Sequence, residues 1–131
     1  MGGTWFVSSH LKGGAGSDDA KVRQTRCLLH TLDAMDDPRA PAVWAGDMNE
    51  TEPGRVLQPP AAVHGFQLVP SVGPTGLTSG AMVTALELDH VFVRHLGTTP
   101  RQTVPVAPVE GGPWAPTSTQ GSDHVPVVLT I

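Results

Sequence analysis

A single cysteine, Cys27, leaves this chain without a disulfide framework or a cysteine-based zinc site, and its setting in an amphipathic stretch predicts a buried helix residue. Basic residues are also scarce: eight Lys plus Arg stand against twelve Asp plus Glu, for a formal net charge of -4 at pH 7. No basic stripe of the sort that tracks a nucleic-acid backbone is present, which argues against tight DNA binding by this chain alone and against a purely nucleic-acid-binding role. Bound divalent cations can offset local acidity, so an anionic substrate stays open. No run approaches the ~18 apolar residues of a membrane span, and Met1-Gly2-Gly3-Thr4 has neither the basic region nor the apolar core of a signal peptide.

What is present is an ordinary globular balance, 39% hydrophobic and 15% charged in 131 residues, enough for one domain with a modest core. Fifteen Gly and thirteen Pro imply many turns, which suits short strands and irregular connections better than a helical bundle. There is no internal repeat and no inter-domain linker.

Thr4 to Ser9 reads as a strand whose uniformly apolar Trp5-Phe6-Val7 predicts cover on both faces, with His10 emerging at its end. Lys12 to Ser17 is a glycine-rich loop, and Ser17 or Asp18 can cap a helix. Val22, Thr25, Leu28, Leu29, Leu32 and Met35 form one apolar stripe on that helix, which runs to about Asp37 before Pro38. Residues 42 to 46 form the next strand, so a right-handed crossover puts the helix on one sheet face. Pro53 begins a short helix, and Pro59-Pro60 ends regular structure until about Thr84. Ala85 to Val93 is strand, Val104 to Val109 a poorer strand at an edge, and Val125 to Ile131 a buried closing strand.

Chemistry concentrates where the apolar run Ala42-Val43-Trp44-Ala45 breaks at Gly46 into Asp47-Met48-Asn49-Glu50. Residues two apart in extended backbone project to one side, so Asp47 and Asn49 can address one phosphate or metal ion, with Gly46 letting the ligand approach. The competing account is a strand followed by a polar turn. Asp89, inside Leu86-Glu87-Leu88-Asp89-His90-Val91-Phe92-Val93, is a carboxylate in an apolar strand and needs a partner. Asp123 and His124 are neighbours that diverge in extended backbone and can serve two partners around one phosphate. His90 and His95 read as surface histidines, and His30 and His64 as structural ones. Ser122-Asp123-His124 cannot stack as a nucleophilic triad, and Lys12 to Ser17 lacks the ending of a phosphate-binding loop.

Taken in order, Ser8-Ser9-His10-Leu11, Gly46-Asp47-Met48-Asn49, Leu88-Asp89-His90-Val91 and Ser122-Asp123-His124-Val125-Pro126-Val127 resemble the C-terminal half of the endonuclease/exonuclease/phosphatase superfamily. The resemblance implies an α/β fold, half of a four-layer α/β-sandwich of the deoxyribonuclease I-like type. Its mixed, mostly antiparallel sheet would carry one main helix, and residues 1–131 would be the C-terminal portion of the domain without its N-terminal half. It also implies a metal-dependent phosphoesterase using Mg2+ or Mn2+. His10, Asp47, Asn49, Asp89 and His124 would be catalytic, with His10, Asn49 and His124 on the phosphate. Asp47 and Asp123 would be on the metal side, and Asp89 would orient the His124 ring.

The family's N-terminal half supplies a further Asn and a metal-binding Glu, and Glu50, Glu52 and Glu87 do not replace that Glu. The alternative is therefore a catalytically incomplete remnant or interaction module. The substrate could be a nucleic acid, a lipid headgroup or a small molecule. An apolar sheet face left without its partner sheet predicts self-association. Any targeting segment would lie on the upstream half, and the cytoplasm is the default expectation.

Overall fold

The computed structural model describes residues 3–35, 37–71, 73–77, 85–103, 124 and 127–131. Its centre is a four-stranded mixed sheet in the order β1 (Trp5–Ser8), β2 (Ala42–Asp47), β6 (Asp89–Arg94), β3 (Gln67–Leu68). β1 runs parallel to β2, while β6 is antiparallel to both β2 and β3. The crossover between β1 and β2 is α1 (Asp18–Met35), and α2 (Pro53–Val56) and α3 (Gln58–Ala62) follow β2. Two small antiparallel pairs complete the described fold, β4 (Gly76–Leu77) with β5 (Ala85–Leu86), and β7 (Arg101–Thr103) with β8 (Val128–Thr130).

Strand alternation splits the sheet into two faces. Ala42, Trp44 and Phe92 point to the helical side, where they pack with Leu29, Leu32, Leu57 and Phe66. Trp44 is fully buried, stacked on Phe92 at 4.8 Å between ring centroids and edge-on to Phe66 at 6.4 Å. Each such large apolar side chain contributes roughly 1.5–3 kcal/mol on burial. The indole N–H donates to Ser9 Oγ at 2.7 Å, which fixes the end of β1 against β2. On the opposite face Val43 and Val91 pack with Val69, partly covered by Val127 and Leu129.

Behind the sheet, Arg94 is 1% exposed and lies over the Phe66 ring. It donates to Asp33 at 2.6 Å, and Asp33 also meets His64 Nδ1 at 2.6 Å, which gives His64 its structural role. Burial pushes the Asp33 carboxyl up, but the hydrogen bonds from His64 and Arg94 outweigh it and hold the group below its usual range.

Several elements depart from the sequence reading. β1 is an edge strand, so Phe6 is 70% exposed rather than covered on both faces. Cys27 is exposed and so is Met35, whereas Lys21 is buried because an ion pair brings it inside. Pro59 and Pro60 do not end regular structure; they sit in the first turn of α3, where a missing N–H costs nothing. The expected strand from Ala85 to Val93 breaks at Glu87 and Leu88 into β5 and β6. The closing strand is not buried: Val128 and Ile131 are exposed, because β8 pairs with β7 outside the main sheet. The strand expected at Val104 to Val109 lies outside the described residues.

Candidate active site

The ends of β1, β2 and β6 deliver His10, Asp47 and Asp89 to one side of the molecule. Asp47 and Asp89 are register partners across β2 and β6, both on the face of Val43 and Val91. His124 stands over them. Its Nδ1 lies 2.6 Å from Asp89 Oδ2 and its Nε2 lies 3.4 Å from Asp47 Oδ2. A carboxylate only accepts, so the Nδ1–H of His124 donates to Asp89 and Nε2 is turned to the cleft. His10 approaches the same Asp47 oxygen, with Nε2 at 3.4 Å, and is largely exposed. Asp47 Oδ2 thus lies near two imidazoles, and His10, Asp47 and His124 all line one cleft.

Asn49 reaches this cluster by a route other than the expected one. It does not share a pleated face with Asp47: β2 ends at Asp47, and Asn49 adopts a left-handed φ of 49°. The Asn49 N–H donates to Asp47 Oδ1 at 2.9 Å, a turn in which Asn tolerates that conformation. The side-chain amide then donates to the Leu11 carbonyl at 2.8 Å, and Gly13 lies close against it. The glycine-rich loop after β1 therefore serves as the wall that holds Asn49. Gly46 also has another purpose than ligand approach. Its φ is 148°, and a Cβ there would overlap the Ser9 carbonyl, so the glycine admits the end of β1.

Glu50 is buried and paired with Lys21 at 3.0 Å, both side chains being about 5% exposed. Its second oxygen accepts the Glu52 N–H, and its carbonyl accepts from His90 Nε2. His90 is accordingly a buried bolt between β6 and the turn after β2, not a surface histidine as its sequence setting suggested. His95 and His30 are exposed and stand apart from the cluster.

The structure thus brings His10, Asp47, Asn49, Asp89 and His124 together, while Asp123 lies outside the described residues. A cleft of about 850 Å³ runs from His10, Asp47, Asn49 and His124 to Arg55, which Glu52 and Asp18 hold at 2.7 and 3.2 Å. Asp89 is about one-fifth exposed and opens the strand, a less buried position than the apolar run implied. Sequence reasoning passed over Lys21, Ser9, Thr75 and Gly76. Thr75 Oγ1 accepts the N–H groups of Leu88 and Asp89, and Gly76 lies under the His124 ring. Nothing in the residue pattern of Pro74-Thr75-Gly76 separates this from an ordinary turn.

Among the described residues no group of three or more His, Cys, Asp or Glu is arranged to hold a metal ion. Glu50 is taken by Lys21 and Asp89 by His124, which leaves Asp47 as the cluster's hard oxygen donor. The donor set for Mg2+ or Mn2+ is thus incomplete within these residues.

The pattern of the Endonuclease/Exonuclease/phosphatase family matches residues 3–124. Among solved structures, beta toxin from Staphylococcus aureus superposes with a TM-score of 0.69 at 16% identity, covering 97% of this chain and 52% of that one. A mannosyl-6-phosphatase from Bacteroides thetaiotaomicron gives 0.60 at 17% identity, covering 96% and 51%. Sphingomyelinase C from Streptomyces griseocarneus gives 0.59 at 21% identity, covering 95% and 51%. The chain therefore spans about half the length of these structures and shares their mixed α/β fold. No curated protein matches by sequence. No helix among the described residues is long and apolar enough to cross a membrane. The chain belongs to the endonuclease/exonuclease/phosphatase family.

Proposed function

We propose that this chain carries the C-terminal catalytic face of a metal-dependent phosphoesterase, acting on a phosphodiester or phosphomonoester. The observation that carries this reading is Asp47 Oδ2 set near two imidazoles, at 3.4 Å from His10 and 3.4 Å from His124. Such a cluster can hold an anion and a water side by side. The two imidazoles and the Asn49 amide offer donors to the phosphoryl oxygens. Asp47, an acceptor, holds and deprotonates the attacking water. His124, held by Asp89 through Nδ1, presents Nε2 to the phosphoryl group and stabilises its charge.

Members of the family generally use a divalent ion, and Mg2+ or Mn2+ is the ion proposed here. Asp47 is its ligand in this reading, and Asp123 is proposed as the second. Further ligands are to be sought outside the described residues, as in the expected N-terminal half of the domain. The cleft is much larger than a phosphate, which leaves room for the organic part of the substrate along Glu52 and Arg55.

The second reading is a phosphate-binding module without turnover, favoured by the pairing of Glu50 with Lys21 at 3.0 Å, which occupies a cleft carboxylate that could otherwise serve a metal. Hydrolysis of bis-p-nitrophenyl phosphate and p-nitrophenyl phosphate with Mg2+ separates the two. Turnover that falls at least ~100-fold in His124→Ala supports the hydrolase. A wild-type rate equal to that of buffer, with the esters still bound, supports the module.

A further inference from the structure

We propose that Thr75 and Gly76 are positioning residues that set the His124 ring across Asp89 and Asp47, an inference that rests on the phosphoesterase reading of the cleft. Thr75 is 1% exposed. Its Oγ1 accepts the Leu88 N–H at 3.1 Å and the Asp89 N–H at 2.9 Å. These two amides lie where the chain leaves β5 and begins β6, so one hydroxyl replaces the strand ladder and fixes the backbone from which Asp89 projects. Thr75 is itself pinned to β5, its N–H donating to the Leu86 carbonyl at 2.9 Å.

Gly76 acts on the other partner of the pair. It forms a β-bridge with His124, and a Cβ built at Gly76 would stand 2.8 Å from Cε1, 3.0 Å from Nδ1 and 3.2 Å from Nε2 of that ring. Those three distances mean that the imidazole lies flat on the Gly76 backbone. Gly76 does not have a positive φ, so the glycine is required for room rather than for conformational freedom. The two neighbours thus fix both ends of one hydrogen bond: Thr75 places the Asp89 backbone, and Gly76 sets the height of the His124 ring. Loss of either should tilt Nε2 away from Asp47 while leaving His10, Asp47 and Asn49 in place.

The test uses Gly76→Ala, Thr75→Val and Thr75→Ser, read by NMR of the His124 ring and by steady-state kinetics. The 2.6 Å contact with Asp89 predicts a low-field Nδ1–H proton in the wild type. Gly76→Ala and Thr75→Val should lose or strongly shift that signal, and Thr75→Ser, which keeps the oxygen, should retain it. Turnover should fall about 10- to 100-fold in the first two variants with KM little changed, as expected of a displaced group acting in the transition state. The Trp44 indole N–H, hydrogen-bonded to Ser9, reports folding in each variant. If Thr75→Val loses it as well, Gly76→Ala and Thr75→Ser decide the matter. A His124 signal unchanged in Gly76→Ala, or lost in a folded Thr75→Ser, overturns the inference. If the signal moves as stated but the wild type shows no turnover, positioning stands and the hydrolase reading falls.

Discussion

Asp47 and Asp89 sit directly opposite one another on antiparallel β2 and β6, and the His124 ring spans both carboxylates, at 3.4 and 2.6 Å. Like charges at facing positions of a sheet destabilise it, so the imidazole is a structural as well as a chemical element of the site. His124→Ala should therefore lower stability at pH 7 by about 1 kcal/mol, and adding Asp89→Asn should restore part of it. Urea unfolding of both singles and the double gives the coupling, and strictly additive losses would dissociate His124 from the carboxylate pair.

Asn49 combines a strained backbone with a side chain that lines the cleft while donating to the Leu11 carbonyl, and two substitutions separate these. Asn49→Ala should cost about 1 kcal/mol because Ala resists a φ of 49°, whereas Asn49→Gly should be nearly neutral for the backbone. Both should weaken phosphate-ester binding alike. Binding retained by Asn49→Gly would show that the residue serves only the turn.

The sheet face opposite α1 carries an apolar groove of about 460 Å³ lined by Phe6, Val43, Ala45 and Val127, with Phe6 70% exposed at its rim. The isolated chain should associate with a second copy through it. Sedimentation should show a concentration-dependent dimer in the wild type and a monomer in Phe6→Lys. Equal behaviour of the two would assign the face to another covering.

Arg94 depends on Asp33 for its buried charge. Asp33→Asn should cost about 3 kcal/mol at pH 7, since it removes the counter-charge of a guanidinium that is 1% exposed and leaves it the Ala40 and His64 carbonyls. The folded carboxyl is held below its unfolded value, so its stabilisation is complete above the unfolded pKa and is lost as pH falls through the folded one. The difference between wild type and Asp33→Asn should accordingly shrink as pH falls below about 4. A difference that persists at the lowest pH would mean that the charge of Asp33 is not what Arg94 needs.

Much of this site could be read from the residues because its chemistry sits on strand ends. An apolar run broken by Gly46-Asp47, and a carboxylate at Asp89 among apolar neighbours, mark such ends without knowledge of the fold. What escaped were contacts between segments distant in sequence. The role of Gly46 depends on Ser9, that of Gly76 on His124, and the burial of Lys21 and His90 on Glu50. Composition gives no sign of such pairings, since each residue alone resembles a turn or surface residue. The exposure of Phe6 and Val128 was missed for a related reason: hydrophobicity predicts burial, but strand order decides which strand lies at an edge.

The central claim is that a phosphate ester occupies the space between His10, Asn49 and His124. An NMR titration of the wild-type chain with p-nitrophenyl phosphate, following the imidazole signals of His10 and His124 and the side-chain amide of Asn49, tests it most directly. The three should shift together along one saturating curve, with His30 and His95 unmoved and the response lost in His124→Ala. An absence of shifts at these three groups, or shifts confined to the apolar groove around Phe6, would contradict it.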